Sequence, residues 1–298
     1  MNTTSRYEKP KLSVVVASQN AAGSIVECLR SIRNQINNGN VEILVIDNST
    51  DGSAEIVKRE FPMIKLSEVD NDKLIPELWG IGINESRGDY VALTTSHFVP
   101  AENWVSKVLF AHEQPYAGIG GAIENEERAG AVSWAVFFCR YSPYMLPFGE
   151  CEVDDFAADN ASYKRCNLEE VKDAMQDGFW ETFVHKEMRR KGMVLLKSPE
   201  IIVRHQRSFT FSAFMFQRFW HGRQFSETRV INMPTYRRLA FVLLSPLIPI
   251  VYLFRITRRV ISRRRNIDRF LWSLPILGLF LLSWSAGEFS GYLWSSRT

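Results

Sequence analysis

An α/β fold is predicted, a mostly parallel sheet domain followed by a C-terminal hydrophobic helical region, and three observations predict it. Short β-branched runs alternate with helical stripes through the first third of the chain, polar glycine-containing turns close those runs, and two long apolar stretches lie near the end.

The first run is Leu12 to Ala17, too brief for helical periodicity, and the second is Val41 to Asp47, which ends in the polar turn Asp47-Asn48-Ser49-Thr50-Asp51-Gly52. Both read as buried parallel strands. Between them Ile25, Leu29, Ile32 and Ile36 are spaced by four, three and four, which lays one apolar stripe along a helix. The pattern then repeats: Ser53 to Phe61 helical, Ile64 to Leu66 a strand, Leu74 to Ser86 helical, and Tyr90 to Thr94 a strand entering Thr95-Ser96-His97. Ligands of such a sheet bind at the carboxyl ends of its strands, so the turns after Ala17, Asp47 and Thr94 are where chemistry is expected. From Glu124 to Arg165 aromatics, acids and turns mix without an assignable period. Asp177 to Gly192 reads as helix, and Val194 to Leu196 and Ile201 to Val203 as two short strands.

Two hydrophobic stretches follow. Leu239 to Phe254 contains Pro246 and Pro249; Phe270 to Trp294 contains Pro275 and one charge, Glu288. Crossing a bilayer takes ~20 residues, so the second is long enough and the first marginal. With 298 residues the chain has room for one substantial α/β domain and an appendage. The expected partition is a catalytic domain over 1–205, an amphipathic basic and aromatic interface segment over 206–235, and a membrane region over 236–298.

The net charge of +3 hides a polarity. From Arg204 to Arg269 there are fourteen arginines, no lysine and only Glu227 and Asp268 as acids, so this stretch carries +12 and the rest −9. A basic face of this kind meets lipid headgroups or nucleic acid. Phe209 to Phe225 interleaves seven aromatics with Arg218 and Arg223, a pattern also found in single-strand binders. The apolar stretches directly after it make the membrane the expected partner instead of nucleic acid. Seven arginines lie between Arg255 and Arg269 and are expected to stay cytoplasmic. The prolines of the first stretch then suit a re-entrant or interfacial element, and Glu288 is expected to face protein or the interface. Cys28, Cys139, Cys151 and Cys166 show no paired spacing and read as reduced thiols. The N-terminus lacks the pattern of a secretory signal, so the domain is expected to start in the cytoplasm.

Asp47 ends a buried strand among hydroxyls and a flexible turn, where its carboxylate can accept hydrogen bonds from a ribose or base. An Asx turn that only reverses the chain explains the same residues equally well. The neighbouring motifs bear on the choice. Ser13-Val14-Val15-Val16 with Asn20, Val45-Ile46-Asp47-Asn48-Ser49-Thr50-Asp51-Gly52-Ser53, Gly80-Ile81-Gly82-Ile83-Asn84 and Gly88-Asp89-Tyr90 together resemble the family-2 glycosyltransferases over residues 11 to 205.

The resemblance implies a GT-A fold and sugar transfer from a nucleotide-sugar donor. It implies donor contacts at Asn20, Asp47, Asp89 and the segment Thr95, Ser96 and His97, which stands where the family has Asp-x-Asp. Two carboxylates are missing there. His205 falls on a family position for a metal-ligand histidine, so His97 and His205 are the candidate ligands of a divalent ion, Mn or Mg. The alternative is a diphosphate held without metal by Arg204, Arg207 or Arg223. By the same resemblance, Trp180-Glu181 with Arg189-Arg190-Lys191-Gly192 places Glu181 on the catalytic base. A carboxylate complementing a helix N-terminus is the competing account of Glu181. Trp180 is expected to shield that carboxylate and raise its pKa. Asp159, on a segment that resembles the acceptor-side loop, is the rival base, with Asp154 and Asp155 beside it. The ending Gly287-Glu288-Phe289-Ser290-Gly291-Tyr292 resembles that of bacterial membrane-attached glycosyltransferases of envelope polysaccharide pathways, and the arginine-rich face and apolar tail, expected to hold the site at the inner membrane, make a lipid-linked acceptor the expected one. A nucleotidyltransferase on the same scaffold, or an inactive membrane scaffold, are the other readings.

Overall fold

The computed structural model describes residues 9–36, 40–206, 209–230 and 233–294. In chain order its elements begin with β1 (Leu12–Ser18), α1 (Ile25–Arg33), β2 (Val41–Asp47), α2 (Ser53–Glu60), β3 (Lys65–Glu68), α3 (Ile75–Glu85) and β4 (Tyr90–Thr95). Then come β5 (Phe98–Pro100), α4 (Trp104–Ala111), β6 (Gly118–Asn125), α5 (Ala131–Tyr141), β7 (Cys151–Val153), β8 (Asn160–Lys164), α6 (Arg165–Glu170), α7 (Glu181–Arg190) and β9 (Leu195–His205). The last helices are α8 (Phe211–Val230), α9 (Thr235–Leu244), α10 (Ile248–Arg263) and α11 (Ile267–Trp294). The chain divides into two compact units, Met1–Glu124 with Phe148–Gln206, and Asn125–Pro147 with Arg207–Thr298.

The first unit is a mixed sheet in the order β3-β2-β1-β4-β8-β6-β9-β5, with β7 on β9. Strands β3, β2, β1 and β4 are parallel, as the alternating pattern predicts, whereas β8 joins β4 antiparallel and turns the second half into a different kind of sheet. All seven residues of β1 are buried, as expected for a central strand covered on both faces. Ile25, Cys28, Leu29 and Ile32 form the buried stripe of α1. That helix stops at Arg33, short of Ile36, and Gln35 leaves it to donate to the Ala101 carbonyl at 2.8 Å and accept from Val105 N at 2.9 Å. The two short strands expected after Val194 are one eleven-residue strand, β9, which carries Pro199 within it. The helix expected from Asp177 starts only at Glu181, because Gly178 has a φ of +107°, outside helical space.

One buried histidine in this unit ties stability to pH. His112 stacks on Tyr90 at 4.6 Å between ring centroids, and its Nε2 lies 2.9 Å from Ser162 Oγ. Burial, assisted by the charge of Lys164, pushes its pKa down to about 3 from the ordinary 6.5. The folded chain therefore keeps His112 neutral where the unfolded chain takes up a proton. Stability contributed by this group is complete above pH 6.5 and falls as pH drops toward 3, by about 1.4 kcal/mol per pH unit. In urea titrations between pH 7 and 5, His112→Gln should show a flatter pH dependence than the unmodified protein. Parallel curves for the two proteins would contradict it.

The second unit is helical. α8 and α11 approach closely through glycines: a Cβ on Gly287 would run into the Phe219 carbonyl, and one on Gly291 into the Ser226 hydroxyl. The arginines of the expected interface segment are therefore not all at a surface. Arg218 is buried, its guanidinium 4.8 Å from the Phe214 ring and 5.3 Å from that of Trp284, and Arg223 pairs with Glu227 at 2.9 Å. Phe216 and Trp220, by contrast, are exposed. Glu288 faces protein, accepting from the Trp284 indole and, at 3.3 Å, from the Tyr292 hydroxyl. Thr235–Arg263 and Ile267–Trp294 are each long and apolar enough to cross a membrane. Pro246 lies in a single 3-10 turn, Ser245–Leu247, and Pro249 in the first turn of α10, where a missing N–H costs little. The segment 125–147, expected within the first domain, belongs to this unit through α5, whose Phe138 meets Phe270 edge-on at 5.3 Å.

Candidate active site

The carboxyl ends of β1, β2 and β4 lie side by side, since Ala17 pairs with both Ile46 and Thr95. The turns after β1 and β2 are stitched together by backbone-to-side-chain bonds. Asn20, at a left-handed φ of 49°, accepts from Thr50 N at 3.0 Å, and its own N donates to Ser49 Oγ at 2.8 Å. Ala21 N donates to Ser53 Oγ at 2.9 Å and Ala22 N to Asp51 at 3.0 Å. Burial pushes the Asp51 carboxyl up, but hydrogen bonds from the Ser53 hydroxyl and from the Ala22 and Ser53 amides outweigh it and hold it below the usual range.

Asp47 is buried at the end of β2. Its two oxygens accept from Ser49, Oδ1 from the hydroxyl at 2.7 Å and Oδ2 from the amide at 3.1 Å. The Asx turn is thus real. Each oxygen keeps further acceptor capacity, so the turn and a ligand role are compatible. Beside it, Asn48 donates to the Lys73 carbonyl at 2.6 Å, tying this turn to the approach of α3.

Thr95, which ends β4, and Ser96 and His97 after it are buried. Ser96 N donates to the Ala17 carbonyl at 3.0 Å, and the Cys28 thiol contacts the Thr95 carbonyl at 3.8 Å. Burial pushes that thiol up to about 12, so it stays protonated. His97 Nδ1 lies 3.2 Å from Ser24 Oγ. Ser18 Oγ, Asn48 Oδ1 and Ser96 Oγ, all near this edge, are buried without a hydrogen-bond partner among the described residues. Buried polar atoms of this kind call for a partner such as water or a ligand.

Asn160, the first residue of β8, pairs with Thr94, which brings Asp159 to the Thr95 end of β4. Asn160 fixes this junction by donating to the Ala122 and Ile201 carbonyls at 2.9 and 3.0 Å and accepting from the Trp104 indole at 2.9 Å. Glu181 opens α7, and Phe179 N, two residues before it, donates to the Pro76 carbonyl in the first turn of α3 at 2.7 Å. A Cβ on Gly178 would sit 2.8 Å from Glu77 N, so only glycine lets the two backbones meet. Both Asp159 and Glu181 are half-buried. Trp180 is itself exposed, its indole donating to the Asp177 carbonyl at 3.1 Å.

Other expected residues fall elsewhere. Asp89 precedes β4, at the amino edge of the parallel strands, and pairs with Lys9 at 2.7 Å and Lys11 at 3.0 Å. The length of β4 separates it from Asp47 and His97, so it does not join them. His205 is buried, opposite Phe98, their ring centroids 5.3 Å apart, and Gln206 N donates to the His97 carbonyl at 2.8 Å. His97 and His205 are therefore neighbours across the β5–β9 pairing. Arg204 is exposed on β9, and Arg207 lies outside the described residues. Among the described residues no three His, Cys, Asp or Glu side chains gather as a metal-binding group. Asp155, one of the rival acids, contacts His185, and Ser24 and His185 are neighbours that the motifs did not single out; the only sequence signal for His185 is its place one helical turn after Glu181.

Residues 13–171, just over half of the chain, match the sequence profile of Glycosyl transferase family 2. The chain belongs to that family. The fold is similar to that of mannosyltransferase PcManGT from Pyrobaculum calidifontis, solved in complex with GDP-Man and Mn2+, at a TM-score of 0.56 and 15% identity over 97% of this chain and 88% of that one. It is also similar to TarS 1-349 from S. aureus, at a TM-score of 0.51 and 14% identity over 95% and 89%. No curated protein matches. Membership of family 2 makes the mixed sheet of the first unit a GT-A domain and the chain a glycosyltransferase.

Proposed function

We propose that this family-2 chain is an inverting glycosyltransferase that takes a sugar from a nucleotide donor to a lipid-linked acceptor at the cytoplasmic face of the inner membrane, in envelope or exopolysaccharide synthesis. The observation that carries the reading is a convergence. The Asp47 turn, the Thr95 to His97 turn and Asp159 come to one edge of one sheet, and α7, which Glu181 opens, is tied just before that residue to the first turn of α3.

Asp47 accepts hydrogen bonds from the nucleoside, and Asn20 holds the turn that presents it. The diphosphate lies toward Thr95, Ser96 and His97. Glu181 takes the proton of the acceptor hydroxyl as it attacks the anomeric carbon, and the nucleoside diphosphate leaves from the opposite face. On their own, His97 and His205 do not fit a resident Mn or Mg site, because two imidazoles are an incomplete set for a hard cation; diphosphate oxygens would have to complete it. The chemistry assigned to Glu181 requires no metal. The membrane part of the reading rests on the two long apolar helical stretches and on the seven arginines between Arg255 and Arg269, which the positive-inside rule assigns to the cytoplasm.

Thermal-shift titration of the full chain in detergent with UDP-glucose, UDP-N-acetylglucosamine and GDP-mannose, with manganese and with chelator, tests the donor half. At least one donor should stabilise the protein, and Asp47→Ala should weaken that donor at least tenfold. Stabilisation by no nucleotide sugar, with or without manganese, would favour the inactive scaffold.

A further inference from the structure

Behind Glu181 lies a polar chain that the transfer chemistry does not use. His185, one turn along α7 from Glu181, is fully buried. Its Nδ1 is 2.5 Å from Asp155 Oδ1 and its Nε2 is 2.8 Å from the Tyr163 hydroxyl. Tyr163 is also fully buried, on β8. In the neutral imidazole with Nδ1 donating to the Asp155 carboxylate, Nε2 accepts from the Tyr163 hydroxyl. The bonds thus run one way, from Tyr163 through His185 to Asp155.

Asp155 also accepts from Thr182 Oγ1 at 3.3 Å, and the next acid back, Asp154, pairs with Arg189 at 3.1 Å. Three successive turns of α7 are therefore tied to the segment that leads, four residues on, to Asp159. The rings of Phe156, Tyr163 and Phe179 surround the imidazole at centroid distances of 4.4, 5.8 and 6.5 Å. An apolar side chain would fill this space without the cost of burying two polar nitrogens. What the imidazole adds is direction: both of its buried nitrogens are satisfied, one by the buried Tyr163 hydroxyl and one by the exposed Asp155 carboxylate, which fixes one arrangement of the elements joined.

We propose that His185, held between Tyr163 and Asp155, is a positioning residue that sets the placement of the Glu181 carboxylate relative to Asp159. The proposal rests on Glu181 being the base. The chain Tyr163–His185–Asp155 couples the sheet to the acceptor-side segment and to the first turns of α7, so loosening it moves the carboxylate without touching the donor turns on β1 and β2.

The test uses the full chain in detergent, with whichever of UDP-glucose, UDP-N-acetylglucosamine or GDP-mannose shifts its melting most, and a polyprenyl phosphate as acceptor. His185→Phe keeps the ring packing and loses both hydrogen bonds. Its kcat should fall about 10- to 100-fold, as expected for a misplaced catalytic group, while the KM for the donor stays within twofold. Asp155→Ala should fall similarly, the double variant should add little, and His185→Asn, whose amide can still donate to Asp155, should recover part of the rate. A His185→Phe protein that melts lower yet keeps its kcat, with Glu181→Gln inactive, would overturn the positioning role alone and leave a packing residue. A donor KM that rises in step with the loss of kcat would overturn it too. Full activity in Glu181→Gln would remove the base assignment and this proposal with it.

Discussion

Glu181→Gln is expected to lower transfer by about 10²- to 10⁴-fold while leaving donor affinity nearly unchanged. The amide keeps the shape of the side chain at the start of α7 but cannot take the acceptor proton. The donor turns, on β1, β2 and β4, are separate elements and should not respond. Steady-state rates with donor affinity measured in parallel check this. Asp159→Asn is the necessary partner experiment, because Asp159 enters β8 at the Thr95 end of β4 and is also half-buried. A collapse at Asp159 with little effect at Glu181, both proteins folded and binding donor, would move the base to Asp159.

Ending the chain at Gln206 is expected to give an aggregating protein instead of a clean catalytic domain. The reason is the segment 125–147, which is inserted in the sequence of the first unit but packs with the second. Trp134, Phe137 and Phe138 of α5 are buried, and Phe138 is covered by Phe270, which the truncation removes. Burying a large apolar side chain contributes ~1.5 to 3 kcal/mol, so uncovering three costs roughly 5 to 9 kcal/mol, comparable to the whole stability of a domain. Dye binding and size-exclusion chromatography read the outcome. Changing the three rings to serine in the truncated protein should restore a monodisperse species. A soluble, compact truncation without those changes would instead support a first domain that runs unbroken over 1–205.

The parallel half of the fold was legible because each strand there is a continuous apolar run ended by a polar turn: Val41–Asp47 is found where the residues place it. The antiparallel half was not. β6 reads Gly-Ile-Gly-Gly-Ala, with little side-chain signal, β7 is three residues long, and Pro199 inside β9 imitates a break between two strands. At the site, the turns holding Asp47 and His97 followed from strand direction. Asp89 did not, because its motif neighbours in sequence begin a strand whose other end faces the ligand edge. The pairing of Asp155 with His185 joins residues thirty apart, across a segment with no readable period, and only the folded chain brings them together.

The most direct measurement is of products. The full chain in detergent, given the preferred nucleotide sugar and a polyprenyl phosphate, should form one glycosylated lipid for each nucleoside diphosphate released, by mass spectrometry and coupled assay, and Glu181→Gln should form neither. Pyrophosphate released from a nucleoside triphosphate would instead identify a nucleotidyltransferase, and no turnover of any donor would contradict sugar transfer altogether.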